Sequence, residues 1–207
     1  MTLQRTFGNS MSRDYDHTPV GLLSGKEPFT AGGKPLGLNV LDFWSFQRSN
    51  LWDMQEDIAE FIVAKALGQE VPSNKNGWTL WDIDYKGKRV EVKETGYYYS
   101  WQKDGKISEQ RSFGITKAYS KYKDTSSAFE RQNDVYVFCL NTGRTKEESN
   151  PLEMDHWRFW VVPTSVINRE CGDNKTLSLN RLRRIAGNDE GLRYDELKDA
   201  IDKALMV

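Results

Sequence analysis

From Trp81 onward, hydrophobic and polar residues alternate as a half-buried strand requires. Val90 and Val92 fall on one face, and Arg89, Glu91 and Lys93 fall on the other. If Lys86-Gly87 forms a two-residue hairpin turn, Tyr85 pairs with Lys88, Asp84 with Arg89 and Asp82 with Glu91. A loop of odd length would instead turn Asp82 to the opposite face. The hairpin spans about Thr79 to Tyr97, and Trp101 is placed to continue it. Upstream, the pattern predicts a first helix over Val40 to Arg48. A second opens near Asn50 or Asp53 and stops at Gly68, with Leu51, Met54, Ile58, Phe61 and Ile62 on one apolar face and Glu60 beside it.

Downstream, Ser112 to Thr116 reads as a third strand, Ala118 to Gln132 as a loop with room for a short helix, and Asp134 to Leu140 as a buried strand. A fifth strand covers His156 to Val162, with Trp157, Phe159 and Val161 on one face and Arg158, Trp160 and Val162 on the other. Short helices over Ser165 to Arg169 and Leu179 to Ile185 precede a last helix from about Tyr194 to Leu205, whose Leu197, Ile201 and Leu205 repeat every fourth position. Helix, three strands, helix and strand in that order predict an α/β domain, a mixed sheet flanked by helices (αβββαβ).

The 207 residues suit one domain, with residues 1–40, rich in Gly, Pro, Ser and Thr, as an extended N-terminal arm within it. No stretch approaches a membrane span, and Met1 to Arg5 lacks the apolar run of a secretory signal, so a cytoplasmic protein is expected. Cys139, Cys171, His17 and His156 are scattered, which argues against a disulfide framework, a zinc site and a nucleophilic triad. Phosphate-loop and dinucleotide fingerprints are absent from the sequence as well.

Chemistry gathers on the charged face of the hairpin. Carboxylates directly opposed across two strands stand about 5 Å apart and repel, so Asp82 and Glu91 call for a cation between them. Mg²⁺ suits carboxylate oxygens, with Mn²⁺ as a substitute. Lys93 lies roughly 7 Å further along the same face, where an ammonium can orient a water or offset charge developing on a phosphate. Other acidic-x-Lys strings, at Asp84, Asp104, Asp173 and Glu196, sit in a turn, in loop-like sequence or on a helix, without an acid placed to face them. A purely structural hairpin with solvent-facing charges would carry the same alternation.

These residues resemble the PD-(D/E)XK, or restriction-endonuclease-like, nucleases. The likeness extends through Lys34 to Gly37, Leu41 to Trp44, Ala59 to Gly68, Tyr97 to Trp101, Asp134 to Phe138 and Pro163 to Val166, which together look like a largely uncharacterised bacterial group. The resemblance implies Mg²⁺ held by Asp82 and Glu91 with the Val92 carbonyl as a further ligand, Lys93 as the catalytic lysine, and Glu60 as the first-helix acid that binds a second ion or its water shell. Asp82 is preferred over Asp84 because the hydrophobic-Asp-hydrophobic pattern falls on Trp81-Asp82-Ile83. Glu94 and Thr95 depart from the small hydroxylated residues usual after the motif, and Tyr99 stands where a Gln is expected.

A net charge of -1 means that any contact with nucleic acid, DNA in the first instance, must be local. Lys117, Lys121 and Lys123, interleaved with Tyr119 and Tyr122, form one candidate contact, and Arg181, Arg183 and Arg184 form another. Tyr97 and Trp101 offer surface for stacking. The resemblance also allows a homodimer, since such enzymes pair two sites to cut both strands. A nucleic-acid-binding module without cleavage and an RNA-cleaving effector are the alternatives on the same fold.

Overall fold

The computed structural model describes residues 23–47, 50–69, 80–100, 107–119 and 128–206. Their contacts separate them after Ser45 into two compact units. In the first, the hairpin β1 (Pro28–Ala31) and β2 (Lys34–Asn39) turns through Gly32 and Gly33 and leads into helix α1 (Val40–Gln47). The sequence reading of an extended arm through residue 40 therefore gives way to a hairpin from Pro28 onward.

The second unit is a mixed α/β fold. It contains α2 (Gln55–Ala66), β3 (Ile83–Tyr85), β4 (Lys88–Gly96), β5 (Ser112–Gly114), β6 (Ala118–Tyr119), β7 (Phe129–Glu130), β8 (Val135–Asn141), β9 (Trp157–Pro163), α3 (Thr164–Cys171), β10 (Thr176–Ser178), α4 (Leu179–Ala186) and α5 (Leu197–Ala204). The main sheet has the order β3-β4-β8-β9, antiparallel except for the parallel step from β4 to β8. Strand β8 is buried along its whole length, as a central strand covered on both faces must be.

Its alternation feeds two cores. Val135, Val137 and Cys139 join Val90, Val92, Trp157 and Phe159 beneath α2 and α5. Tyr136, Phe138 and Leu140 join Trp160 and Val162 beneath α3, α4 and the β5-β10 ribbon. Trp157 and Phe159 thus face away from Trp160 and Val162, as the sequence pattern requires.

Helix α2 ends as its sequence dictates. Gly68 takes φ +77, and Gln69 N–H returns to the Ala64 carbonyl at 3.0 Å, a left-handed cap that a side chain would strain. Its buried face differs from the expected one, running through Ala59, Ile62, Val63 and Ala64, while Phe61 is 52% exposed with the Lys65 ammonium 5.6 Å from its ring. The small Ala59 and Ala64 let the helix lie close on β4, a contact that a count of large apolar residues does not reveal.

One further expectation is corrected. The third strand forms but pairs with β10 and stands outside the main sheet, so the sheet reaches its parallel step directly from β4. Of the loop expected over 118–132, residues 120–127, where its short helix would fall, lie outside the described residues; on either side, β6 pairs with β7 and the Tyr119 and Phe129 ring centres are 4.8 Å apart. Among the described residues, no helix is long and apolar enough to cross a membrane.

The turn that fixes the site's register is Lys86-Gly87. Their φ values of +52 and +73 are those of a type I′ turn, whose twist matches that of the flanking strands. Its tip is pinned to α5 because Lys86 and Lys198 both reach Asp202, at 2.8 and 2.6 Å, and the Tyr85 hydroxyl donates to the same carboxylate at 3.0 Å. A Cβ on Gly87 meets nothing, so only backbone strain opposes a side chain there. Gly87→Val is expected to cost about 1–2 kcal/mol, read by urea denaturation.

Candidate active site

The ladder of β3 on β4 pairs Ile83 with Val90, Asp84 with Arg89 and Tyr85 with Lys88, which is the register of the two-residue turn. It stops at Ile83, one residue short of a ladder pair between Asp82 and Glu91. The stop has a chemical reason. Val92 N–H points toward the β3 edge, and the Asp82 carboxylate accepts it at 2.7 Å in place of a strand carbonyl. Asp82 N–H in turn donates to the Val90 carbonyl at 3.1 Å. The Asp82 carboxylate is thereby fixed against the backbone that carries Glu91. The Val92 carbonyl lies along the same strand edge as its N–H.

On the next strand inward, Glu91 lies beside Tyr136 and Lys93 beside Phe138. The Lys93 ammonium sits 2.6 Å from Glu91 Oε1, with the two side chains 27% and 15% exposed. Glu91 Oε2 is buried and has no hydrogen-bond partner among the described residues. Burial pushes the Glu91 carboxyl up to about 7, against the opposing pull of Lys93, and the negative charges of Asp82 and Glu60 add to the rise. Burial pulls the Lys93 ammonium down, but Glu91, Asp82 and Glu56 outweigh it, so Lys93 is held charged, above its ordinary value.

This titration has a sign that can be checked in metal-free protein. Between about pH 4.3, the ordinary glutamate value, and about 7, the folded chain keeps a proton that the unfolded chain has released, so this group's contribution to stability falls as pH rises through that window. Melting temperatures in EDTA should show that decline in the wild type and a shallower one in Glu91→Gln.

The helix α2 supplies the remaining acids. Glu60 is half-buried and its charge is felt at Glu91, while Glu56, one turn earlier, is felt at Lys93 and at Glu94. Sequence reasoning passed over Glu56. The i, i+4 spacing from Glu60 was the available signal, since it puts both on one stripe of the helix. Glu94, on the opposite face of β4, is pushed by burial up to about 8 and lies 3.4 Å from the Tyr99 hydroxyl, which accepts Gly96 N–H at 2.7 Å. Tyr99 and Glu94, two of the three residues that depart from the pattern of the nucleases the sequence resembles, therefore meet each other. Asp84 stands apart from this group, accepting the Trp81 indole N–H at 2.9 Å.

The donor set fits Mg²⁺ in character. Hard carboxylate oxygens come from Asp82 and Glu91, and the partnerless Glu91 Oε2 is an acceptor still in need of a positive neighbour. Among the described residues, no three acidic, histidine or cysteine side chains already surround one point. Mg²⁺ needs no such cage, since it is held by one or two carboxylates and keeps several waters.

The residues expected to touch nucleic acid are dispersed. Lys117 pairs with Asp173 at 2.6 Å, and Tyr119 is half-buried against Phe129. Tyr97 is buried, and the guanidinium groups of Arg111 and Arg144 lie 5.0 and 4.5 Å from its ring centre. Lys121, Lys123 and Trp101 lie outside the described residues. Compared with models of known protein families, with curated proteins and with solved structures, the chain matches none.

Proposed function

We propose that this chain is a Mg²⁺-dependent nuclease that hydrolyses phosphodiester bonds, in DNA first of all, on a restriction-endonuclease-like arrangement of helix, hairpin and parallel step. The single observation that carries the reading is the β4 constellation. A half-buried carboxylate with one oxygen on Lys93 and the other buried without a partner among the described residues adjoins an aspartate fixed to the same strand's backbone. Burying charges in this way is costly unless they are used, and surface hairpins do not need it.

Asp82, Glu91 and the Val92 carbonyl are the groups that would hold the ion, with the charge of Glu60 felt at Glu91. Mg²⁺ there supplies Lewis-acid activation of the scissile phosphate and of the attacking water. The chain's own residues do the rest. Lys93, kept charged by three carboxylates, presents an ammonium where charge accumulates on the phosphate and donates to the water that attacks it in line. Asp82 is held by the Val92 amide, so its position is set before substrate arrives.

The test is a substrate panel of supercoiled plasmid, linear duplex, single-stranded DNA and RNA, each with Mg²⁺, Mn²⁺ or EDTA. DNA cleavage with either ion and none in EDTA is expected. Retardation of DNA without nicking under any divalent ion would make this a binding module, and cleavage of RNA alone would make it an RNA-directed effector.

A further inference from the structure

We infer that the cleft between α3 and α4 binds the phosphodiester backbone of nucleic acid, a contact region separate from the β4 constellation; the ligand class rests on the nuclease reading above. The cleft encloses about 530 Å³ and is lined by Val166, Arg169, Glu170, Arg181, Arg184 and Ile185. Three arginines thus share one concave surface with two aliphatic side chains and a single carboxylate.

The fold sorts the arginines of α4 into different roles. Arg181 and Arg184, three residues apart, share one side of the helix and enter the cleft. Arg183 leaves it, placing its guanidinium 5.9 Å from the Trp160 ring centre. Leu179 and Leu182 are buried and anchor the helix, and Ser178 caps it by accepting Arg181 N–H, so the two cleft arginines rise from a fixed base.

The negative groups nearby are already taken. The Glu170 carboxylate accepts Arg169 Nε at 2.9 Å, and its carbonyl accepts the Arg181 guanidinium. Asp173, the other carboxylate of residues 164–186, is paired with Lys117. Arg184 is exposed and has no partner among the described residues. Residues 164–186 carry five cations, Arg169, Lys175, Arg181, Arg183 and Arg184, against the two carboxylates of Glu170 and Asp173, a local positive excess within a chain whose net charge is -1. A guanidinium fork matches phosphate oxygens in pairs, which makes a polyphosphate strand the natural ligand of such a surface.

Fluorescence anisotropy of a short labelled duplex in EDTA, over a salt series, tests this without any cleavage. The double variant Arg181→Gln with Arg184→Gln should bind roughly tenfold more weakly, and its slope of log affinity against log salt should shrink by about 2. Arg184→Glu alone should weaken binding, while Lys198→Gln on α5, across the sheet, should change neither quantity. Unaltered affinity and slope in both cleft variants, or a wild type that binds no nucleic acid, would overturn the inference. Duplex binding through this cleft by a chain that cuts nothing with Mg²⁺ would sink the nuclease reading and leave this one standing.

Discussion

Asp82→Asn and Lys93→Ala are each expected to reduce Mg²⁺-dependent cleavage by about 10³-fold while leaving the fold intact, because each removes charge needed at the reacting phosphate. The choice of asparagine matters. Asp82 also accepts Val92 N–H at 2.7 Å, and the amide oxygen of Asn can keep that bond while giving up the anion. Asp82→Ala would lose both, leaving a strand N–H unsatisfied at a cost of about 1–3 kcal/mol, so its inactivity would be ambiguous. Removing Lys93 strips a half-buried carboxylate of its cation, which ordinarily destabilises strongly. Here the penalty is limited, since Glu91 with a pKa of about 7 can take a proton near neutrality. Circular dichroism and melting should therefore match wild type near pH 7, with plasmid nicking as the activity readout. Full cleavage by both variants would end the proposal for β4.

Much of the candidate site's geometry was legible in the sequence because short-range rules set it. Strand parity puts Glu91 and Lys93 on one face whatever surrounds them, and the Lys86-Gly87 turn fixes which β3 residue meets which β4 residue. The end of α2 was legible for the same reason, since Gly68 stops a helix locally. Alternation likewise told Trp157 and Phe159 from Trp160 and Val162, although they enter two separate cores.

What could not be read depends on distant partners. Residues Ser112–Gly114 have strand character, but nothing in three residues says that their partner is Thr176–Ser178 and not the main sheet. Tyr97 has the character of a stacking surface in sequence, whereas in the fold it is buried and Arg111 and Arg144, remote in sequence, lie against its ring. The Asp82 carboxylate is expected from the sequence to stand opposite Glu91, but it takes Val92 N–H in place of a strand carbonyl and the ladder stops at Ile83, an outcome that strand parity does not reveal. The arginine cleft was half visible. Arg181 and Arg184 appear in sequence as one run with Arg183, and only the orientation of α4 separates them and adds Arg169 from α3.

Trp157→Ala should produce the largest loss of stability and spare the chemistry. Trp157 is fully buried, stacks near-parallel to Phe159 with ring centres 6.4 Å apart, and donates its indole N–H to the Pro151 carbonyl at 3.1 Å. Truncating it removes a large apolar surface and leaves a cavity, at a cost of about 3–5 kcal/mol. For a chain of this size, that loss lowers the melting temperature by about 10 °C. Trp157→Phe keeps most of the ring but orphans the Pro151 carbonyl, and should lose about 1–3 kcal/mol. Trp157 enters the α5 side of the sheet from β9, two strands from β4, whereas Glu91 and Lys93 rise from the other face. Below its lowered melting temperature, Trp157→Ala should therefore cleave DNA at close to the wild-type rate, the converse of Lys93→Ala. Coupled loss of both properties in Trp157→Ala, measured well below melting, would mean that the charged face of β4 does not function as a unit held apart from this core.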